Sequence, residues 1–475
     1  MTNPSEPASQ GTSRREFIKT SGKIVAAGAL AGVALPHVHA QGSDVIRVAL
    51  VGCGGRGGGA AANALTVKKG SIKLAAMADV FEDRMRTSFN ALKNSKDVGA
   101  DVDVTDDTKF IGFDAFKKAM DTLKKGDVAI FTTPLAFRWV HFEYAISKGL
   151  NVFMEKPLTS DGPSSRKMLK LAEEASAKNL KVGVGLMSRH SRDLQLLEQK
   201  LRDGAIGDII LLRGYRMHGP VGSMASQKKP ANMTEVEFQI RRFHSFIWAS
   251  GGCYSDFYIH HIDHLCWMKG AWPVKAQGVG GRHYRKDPNG NDYVDQNFDS
   301  YSVEYTFADG TKMYMDGRCM VGTTPIYNSW AHGSKGMAVV SKANDCGRPS
   351  SLYTSQTVDS TKRIWTSDDL VKPEEHDPYV NEWRDLIDAI RNDKPYNEVP
   401  RGVAASVTTS LGRLAAHSGM EVTYDEMLNH EQAYAPNADK MTMDGLAPLT
   451  ADANGRYPIP MPGQIGKHEY EPNKA

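Results

Sequence analysis

The chain has 475 residues, enough for two to three domains, and 41% of them are hydrophobic, an ordinary proportion for globular cores. Its 58 basic and 55 acidic residues leave a formal net charge of +3, which excludes a basic stripe for nucleic acid and a polybasic membrane anchor. No apolar run in the body of the chain is long enough to span a bilayer.

The first informative stretch is Ser13-Arg14-Arg15-Glu16-Phe17-Ile18-Lys19, which resembles a twin-arginine export motif. An Ala/Gly-rich apolar segment follows from Ile24 to Leu35, and Val38-His39-Ala40 has the small-residue ending of a cleavage site. Residues 1–40 are therefore expected to be a signal peptide read by the twin-arginine export machinery. The mature protein is expected to begin near Gln41 and to reach the periplasm already folded. No Cys precedes position 53, so a lipid anchor is not expected. The five cysteines (Cys53, Cys253, Cys266, Cys319, Cys346) are odd in number and scattered, which argues against a disulfide framework.

From residue 44 the pattern becomes β-α-β. Ile46–Val51 is a β-branched run of the kind that forms a buried parallel strand. It enters Gly52-Cys53-Gly54-Gly55-Arg56-Gly57, a helix is expected from Ala60 to Lys69, and the next strand, Ile72 to Ala78, ends at Asp79. This is GxGxxG between a strand and a helix, with an acid about twenty residues on. Gly52 permits the tight turn, Gly54 lets backbone approach a pyrophosphate at a helix N-terminus, and Gly57 lets helix and strand pack closely. Asp79 would accept hydrogen bonds from a ribose and repel a 2′-phosphate. That favours NAD over NADP, although Arg84 and Arg86 are near enough in sequence to reach a phosphate.

Strands and helices continue to alternate up to a final strand at Lys181–Leu186, which implies a doubly wound parallel sheet over residues 44–188. Ligand then sits at the carboxyl ends of the strands. Thr132-Thr133-Pro134 and Glu155-Lys156-Pro157 both occupy that edge. A residue before Pro is held extended, so Lys156 is presented where the nicotinamide should lie and can stabilise a developing alkoxide.

The texture changes after Leu186. Residues 189–430 read as an α+β domain with an open, mostly antiparallel sheet. Val303–Phe307 and Lys312–Met315 flank Asp309-Gly310 as a hairpin. Residues 221–245 are polar and read as a surface insertion. In Gly251–His264, Asp256 and His260 lie four residues apart, as do His260 and His264, so a helix would place all three on one face. Arg189, Tyr258, His261 and Trp248 are the candidate substrate contacts around that helix. Arg241, Arg242 and His244 either join them or form a solvated basic face. Asp377-Pro378 starts a helix with a cap and an N1 proline. Residues 431–475 are expected to be an extended tail, an arm reaching a neighbouring subunit.

The chain resembles the Gfo/Idh/MocA oxidoreductase family. The matching stretches are Gly52-Cys53-Gly54-Gly55-Arg56-Gly57, Thr132-Thr133-Pro134 followed by His141, Glu155-Lys156-Pro157, and Gly251-Gly252 followed by Asp256, His260 and Asp263. The resemblance implies a Rossmann domain joined to an open-sheet substrate domain, with Lys156, Asp256 and His260 as the catalytic set. It also implies a cis Lys156-Pro157 bond. Cofactor contacts are implied at Gly52, Gly54, Gly55, Arg56, Gly57, Asp79, Thr132, Pro134, His141, Glu155 and Lys156.

The expected activity is hydride transfer between a sugar or polyol hydroxyl and a tightly bound NAD (or NADP), in a homo-oligomer (a dimer or tetramer). The alternative is a redox-neutral glycoside hydrolase, lyase or epimerase acting through a transient keto sugar. The family's glycosidases generally lack the Lys that this chain keeps at position 156. A metal site at His260, His261 and His264 is weighed and set aside, because no Glu accompanies the i, i+4 pair as in HExxH.

Overall fold

The computed structural model describes residues 45–67 and 71–470. The export motif and cleavage segment lie outside the described residues. In chain order the first unit comprises β1 (Ile46–Val51), α1 (Gly55–Thr66), β2 (Ile72–Asp79), α2 (Glu82–Lys93), β3 (Lys109–Ile111), α3 (Ala115–Asp121), β4 (Val128–Phe131), α4 (Arg138–Lys148), β5 (Asn151–Met154), α5 (Gly162–Ala177) and β6 (Val182–Val184). The six strands form one parallel sheet in the order β3-β2-β1-β4-β5-β6. β1, β4, β5 and β6 are buried almost throughout, because helices cover both faces of the sheet. The order reverses between β1 and β4, and the glycine turn leaves the carboxyl end of β1 at that switch point.

The second unit begins with α6 (Arg192–Arg202), β7 (Ile209–His218), α7 (Glu235–Arg241), α8 (Ile247–Ser250) and α9 (Gly252–Lys269). It continues with β8 (Lys275–Gly281), β9 (Ser300–Thr306), β10 (Lys312–Cys319), β11 (Ile326–Gly333), β12 (Gly336–Lys342), β13 (Ser351–Tyr353) and β14 (Arg363–Thr366). It closes with α10 (Pro378–Arg391), α11 (Val399–Ser418), β15 (Val422–Thr423) and α12 (Tyr424–Leu428). The nine-stranded sheet runs β14-β13-β12-β11-β7-β10-β9-β8-β15 and is antiparallel except for the β7–β10 pair.

α9 runs through the interior. Every residue from Gly252 to Cys266 is buried, so this helix has no solvent face. One side meets the open sheet through two glycines. A Cβ on Gly317 would come within 2.0 Å of the Tyr258 ring, and one on Gly214 within 3.2 Å of the Leu265 side chain. The other side packs on α11. The helix begins without a side-chain cap of its own. Asn297 Oδ1 takes its place, accepting from the Cys253 amide at 2.7 Å.

α10 crosses back to the first unit. Asp377 caps it through the amides of Tyr379 and Val380, and Trp383, Leu386, Ile387 and Ile390 join the core beneath β1 and α1. Two expectations are corrected here. Residues 221–245 are not a plain surface insertion, since α7 buries Val236, Phe238 and Ile240 among its charges. The tail is not free to reach outward. Tyr434, Ala438, Met441, Leu449, Tyr457 and Tyr470 pack with Phe81, Ala136 and Phe137 of the first unit and with Phe246 and Trp248. Enough apolar side chains are spaced along it to cover its own chain, although none recur with a helical or strand period.

Candidate active site

The glycine turn is built as the backbone demands. Gly52 has φ +96°, and a Cβ there would meet the Thr133 amide nitrogen at 2.8 Å. A Cβ on Gly57 would lie 2.0 Å from the Gly52 carbonyl oxygen, whereas Cβ atoms on Gly54 and Gly55 would meet nothing within 4 Å. α1 starts there with no side-chain cap and no acid in its first turn. Its unpaired N–H groups and positive dipole end suit an anionic phosphate, so the turn fits a dinucleotide.

Asp79 holds this turn from below. Its Oδ2 accepts from the Cys53 amide at 2.6 Å and its Oδ1 from the Phe81 amide at 2.9 Å. Burial pushes its carboxyl upward, and the amide bonds only partly offset that. Thr132 Oγ1 donates to the Gly52 carbonyl at 2.5 Å. His141 sits among Phe116, Phe131 and Phe137 with Nδ1 3.2 Å from Thr133 Oγ1. Burial drives its pKa down to about 3, so His141 is a neutral brace for the Thr133-Pro134 turn rather than an open contact. Arg56 is likewise engaged. Its Nε lies 2.5 Å from Glu155 Oε1, its second arm 3.6 Å from Glu382, and its guanidinium stacks on Tyr379. Arg84 donates to the Arg241 carbonyl at 3.0 Å.

Lys156, just beyond β5, reaches across to α9. The Lys156-Pro157 bond is cis. Its Nζ donates to Asp256 Oδ1 at 3.0 Å and to the Asp256 carbonyl at 2.7 Å. Burial alone would raise Asp256, but the Lys156 ammonium and His244 together hold its carboxyl below the usual range. His260 lies one turn further along α9. Burial first, then Lys156 and Arg216, keep its pKa well below that of a free imidazole, so the ring is neutral at pH 7. Its Nδ1 is buried with no partner among the described residues.

His244 completes the cluster. Its Nδ1 accepts from the Ser223 amide at 3.2 Å, and an amide can only donate, so the neutral ring carries its proton on Nε2. That nitrogen faces Asp256 Oδ2 at 3.4 Å. Asp256 thus stands between Lys156 and His244, and it makes no hydrogen bond to His260. Nearby, Arg216 donates to Asp345 Oδ1 at 2.7 Å and to the Phe257 carbonyl at 2.5 Å.

The candidate substrate contacts are corrected. Trp248 is fully buried and donates its indole N–H to Gln239 at 2.9 Å, so neither ring face is open to a sugar. Tyr258 is fully buried with its hydroxyl 3.6 Å from Cys319 Sγ. His261 is fully buried beside Tyr327 and His264, and burial keeps it neutral. Arg189 is clamped by Asp263 at 2.8 and 2.9 Å. His264 Nε2 pairs with Ser329 Oγ at 2.8 Å, and burial takes its pKa to about 4. Among the described residues, no group of three His, Cys, Asp or Glu side chains is placed to hold a metal ion. Arg216 and Asp345 went unread in the sequence. The available signal was a charge at Arg216 in register with the inward-facing Leu212 and Gly214 of β7.

Residues 46–185 match the model of an oxidoreductase family with an NAD-binding Rossmann fold, Gfo/Idh/MocA. Inositol 2-dehydrogenase of Corynebacterium glutamicum is 26% identical over 125 residues, 26% of this chain and 35% of that protein. The chain thus matches about a third of the length of that curated relative. Among solved structures, myo-inositol 2-dehydrogenase from Lactobacillus plantarum superposes with a TM-score of 0.58 at 22% identity, over 80% of this chain and 99% of that one. Scyllo-inositol dehydrogenase from Lactobacillus casei, solved with NAD(H) and scyllo-inositol, gives 0.56 at 20% identity over 80% of this chain and 99% of that one. These structures share the two-unit fold. The glycine turn and the Asp79 brace both lie within residues 46–185, and over that segment the chain is similar to the Gfo/Idh/MocA oxidoreductases with their NAD-binding Rossmann fold.

Proposed function

We propose that this protein is an NAD-dependent oxidoreductase acting on a secondary hydroxyl of a sugar or polyol. The observation that carries this reading is the Lys156–Asp256 pair at 3.0 Å with the neutral His260 one helical turn away, beside the carboxyl edge of the parallel sheet. The Gly52–Gly57 turn and Asp79 would hold NAD, which would supply the hydride acceptor. The chain's own part is proton handling at the substrate oxygen. His260 is neutral, as a proton acceptor must be, and takes the hydroxyl proton from a substrate oxygen roughly 2.6–3.2 Å away. Lys156 donates a hydrogen bond to the same oxygen and stabilises the charge it gains. Asp256 anchors the Lys156 ammonium through side chain and backbone, which limits the conformations that Lys156 samples.

Hydrolysis or elimination through a transient ketone must also take a proton from a neighbouring C–H, and so needs a further base. The next imidazole, His244, has Nδ1 occupied by a backbone amide and Nε2 turned to Asp256. The site therefore favours net oxidation or reduction. The export motif at Arg14-Arg15 supports a periplasmic address reached in the folded state, and a tightly held NAD suits that address. The test is to denature the purified protein and identify the released nucleotide, then mix NAD-loaded protein with myo-inositol and a panel of sugars. A rise in NADH absorbance with a keto product supports the reading. Bond cleavage without net oxidation sinks it.

A further inference from the structure

Beyond the cluster at Lys156 lies a second set of buried charges that the proposed chemistry does not use. Arg413, on α11, and Glu469, near the end of the tail, are both fully buried. Glu469 Oε1 accepts from Arg413 Nε at 2.7 Å and lies 2.8 Å from His417 Nδ1. Its Oε2 accepts from Arg413 at 3.1 Å and from the Tyr434 hydroxyl at 2.5 Å. Burial would raise this carboxyl, but Arg413 and His417 hold it far below the usual range.

The rest of the Arg413 fork points at the active site. One terminal nitrogen donates to the Gly251 carbonyl at 3.0 Å and to Ser255 Oγ at 2.7 Å. The other donates to the Ser160 carbonyl at 2.8 Å. Ser255 adjoins Asp256 on α9, and Ser160 follows Lys156 by four residues. A single guanidinium thus ties the start of the catalytic helix to the segment that carries the lysine. Its rigid planar geometry suits that task better than a flexible ammonium.

We propose that Glu469 is a positioning residue for the Lys156–Asp256 pair, so that the tail is part of the active-site frame. The physical reason is charge balance. A guanidinium buried this deeply needs a carboxylate to stay in place, and among the described residues only Glu469 supplies one within its hydrogen-bonding shell, the other acceptors being neutral oxygens. Without it, Arg413 draws toward water and releases Gly251, Ser255 and Ser160 together. This inference rests on the proposed roles of Lys156 and Asp256, but its labelling test is independent of substrate.

The experiment compares wild-type protein, loaded with NAD, with Glu469→Gln and with the milder Ser255→Ala. Each is treated briefly with acetic anhydride, and modification of Lys156 is followed by peptide mass spectrometry. Lys181, fully buried just before β6 and paired with Asp393 just after α10, reports global opening. The expected result is at least a threefold faster labelling of Lys156 in both variants with Lys181 unchanged. Equal Lys156 labelling in wild type and in Glu469→Gln overturns the proposal, as does labelling of Lys156 and Lys181 that rises in parallel. A second arm follows NADH formation in a single turnover with myo-inositol, a rate constant that does not depend on the fraction of folded protein. It is expected to fall about tenfold in Glu469→Gln with little change in the half-saturating concentration. A wild-type protein silent toward myo-inositol counts against that polyol as substrate and leaves the labelling result to decide.

Discussion

Lys156 and Asp256 stand 100 positions apart in the chain and meet at 3.0 Å, joining the edge of the parallel sheet to the helix behind the open sheet. Both side chains are largely withdrawn from water, at 16% and 10% exposure. Removing one partner leaves the other buried and unbalanced, which costs about 3–5 kcal/mol in comparable pairs. Asp256→Asn keeps the shape but not the charge. It is expected to lower kcat by about 10²–10⁴-fold while NAD stays bound. Steady-state kinetics with released-nucleotide analysis checks this, and unchanged turnover would remove Asp256 from the mechanism.

As the proposed base, His260 is expected to set the acid side of the pH profile. Its folded pKa is depressed by burial and by the Lys156 and Arg216 cations, so the base form persists below the 6.5 of a free imidazole. The log of kcat/KM is therefore expected to stay flat from neutral pH to below 6.5 before it falls. His260→Gln should lose about 10²–10⁴-fold in rate and lose that acid limb as well. A limb that survives the substitution belongs to another group.

The two ends of the glycine turn predict opposite outcomes. Gly57→Ala drives a Cβ to 2.0 Å from the Gly52 carbonyl, and overpacking of this kind costs about 1–3 kcal/mol. Gly54→Ala meets no atom within 4 Å, so the fold should be unaffected. The added methyl instead occupies the approach to the unpaired amides of α1. Thermal unfolding should separate Gly57→Ala from wild type, while Gly54→Ala purifies with the wild-type melting point and much less NAD. If Gly54→Ala retains NAD fully, the phosphates do not lie over this turn.

These positions also mark how much could be read before the structure. The parallel sheet was legible because β-branched runs alternate with helical segments and because Gly52 and Gly57 have no steric substitute. Lys156, Asp256 and His260 were legible through motifs in a fixed order. His244 was read only as one of two options, and Arg216 and Asp345 were not read at all, since Arg216 on β7 meets Asp345 across 129 positions. Trp248 was misplaced because an aromatic beside a His-rich helix looks the same whether its ring faces a sugar or Phe137. The tail was misjudged because its anchor joins Glu469 to Arg413 across 56 positions, with no periodic pattern to announce it.

The junction between the two units carries two pH-dependent contributions to stability of opposite sense. His190 Nδ1 lies 2.7 Å from Asp385 and its Nε2 lies 3.3 Å from Glu398, which also accepts from the Val184 amide and pairs with Arg401. Burial would raise Glu398, yet Arg401 and His190 bring it down to about 2. Its stabilisation is therefore complete above an unfolded pKa near 4.5 and is lost as pH falls toward 2, a swing on the order of 3 kcal/mol. Burial would lower His190, yet Glu398 and Asp385 raise it. Its stabilisation has the opposite sense, complete below about 6.5 and lost as pH rises through the elevated folded value. Both contributions are present together only between roughly pH 4.5 and 6.5. The buried neutral histidines His141 and His264 lose stability as pH falls below 6.5, so the junction is read from variants and not from the shape of the wild-type curve. In urea unfolding from pH 3 to 8, the stability gap between wild type and Glu398→Gln should shrink as pH falls below 4.5, and the gap between wild type and His190→Gln should shrink as pH rises above 6.5. A His190→Gln gap that does not change with pH would show that His190 is not held by its two carboxylates.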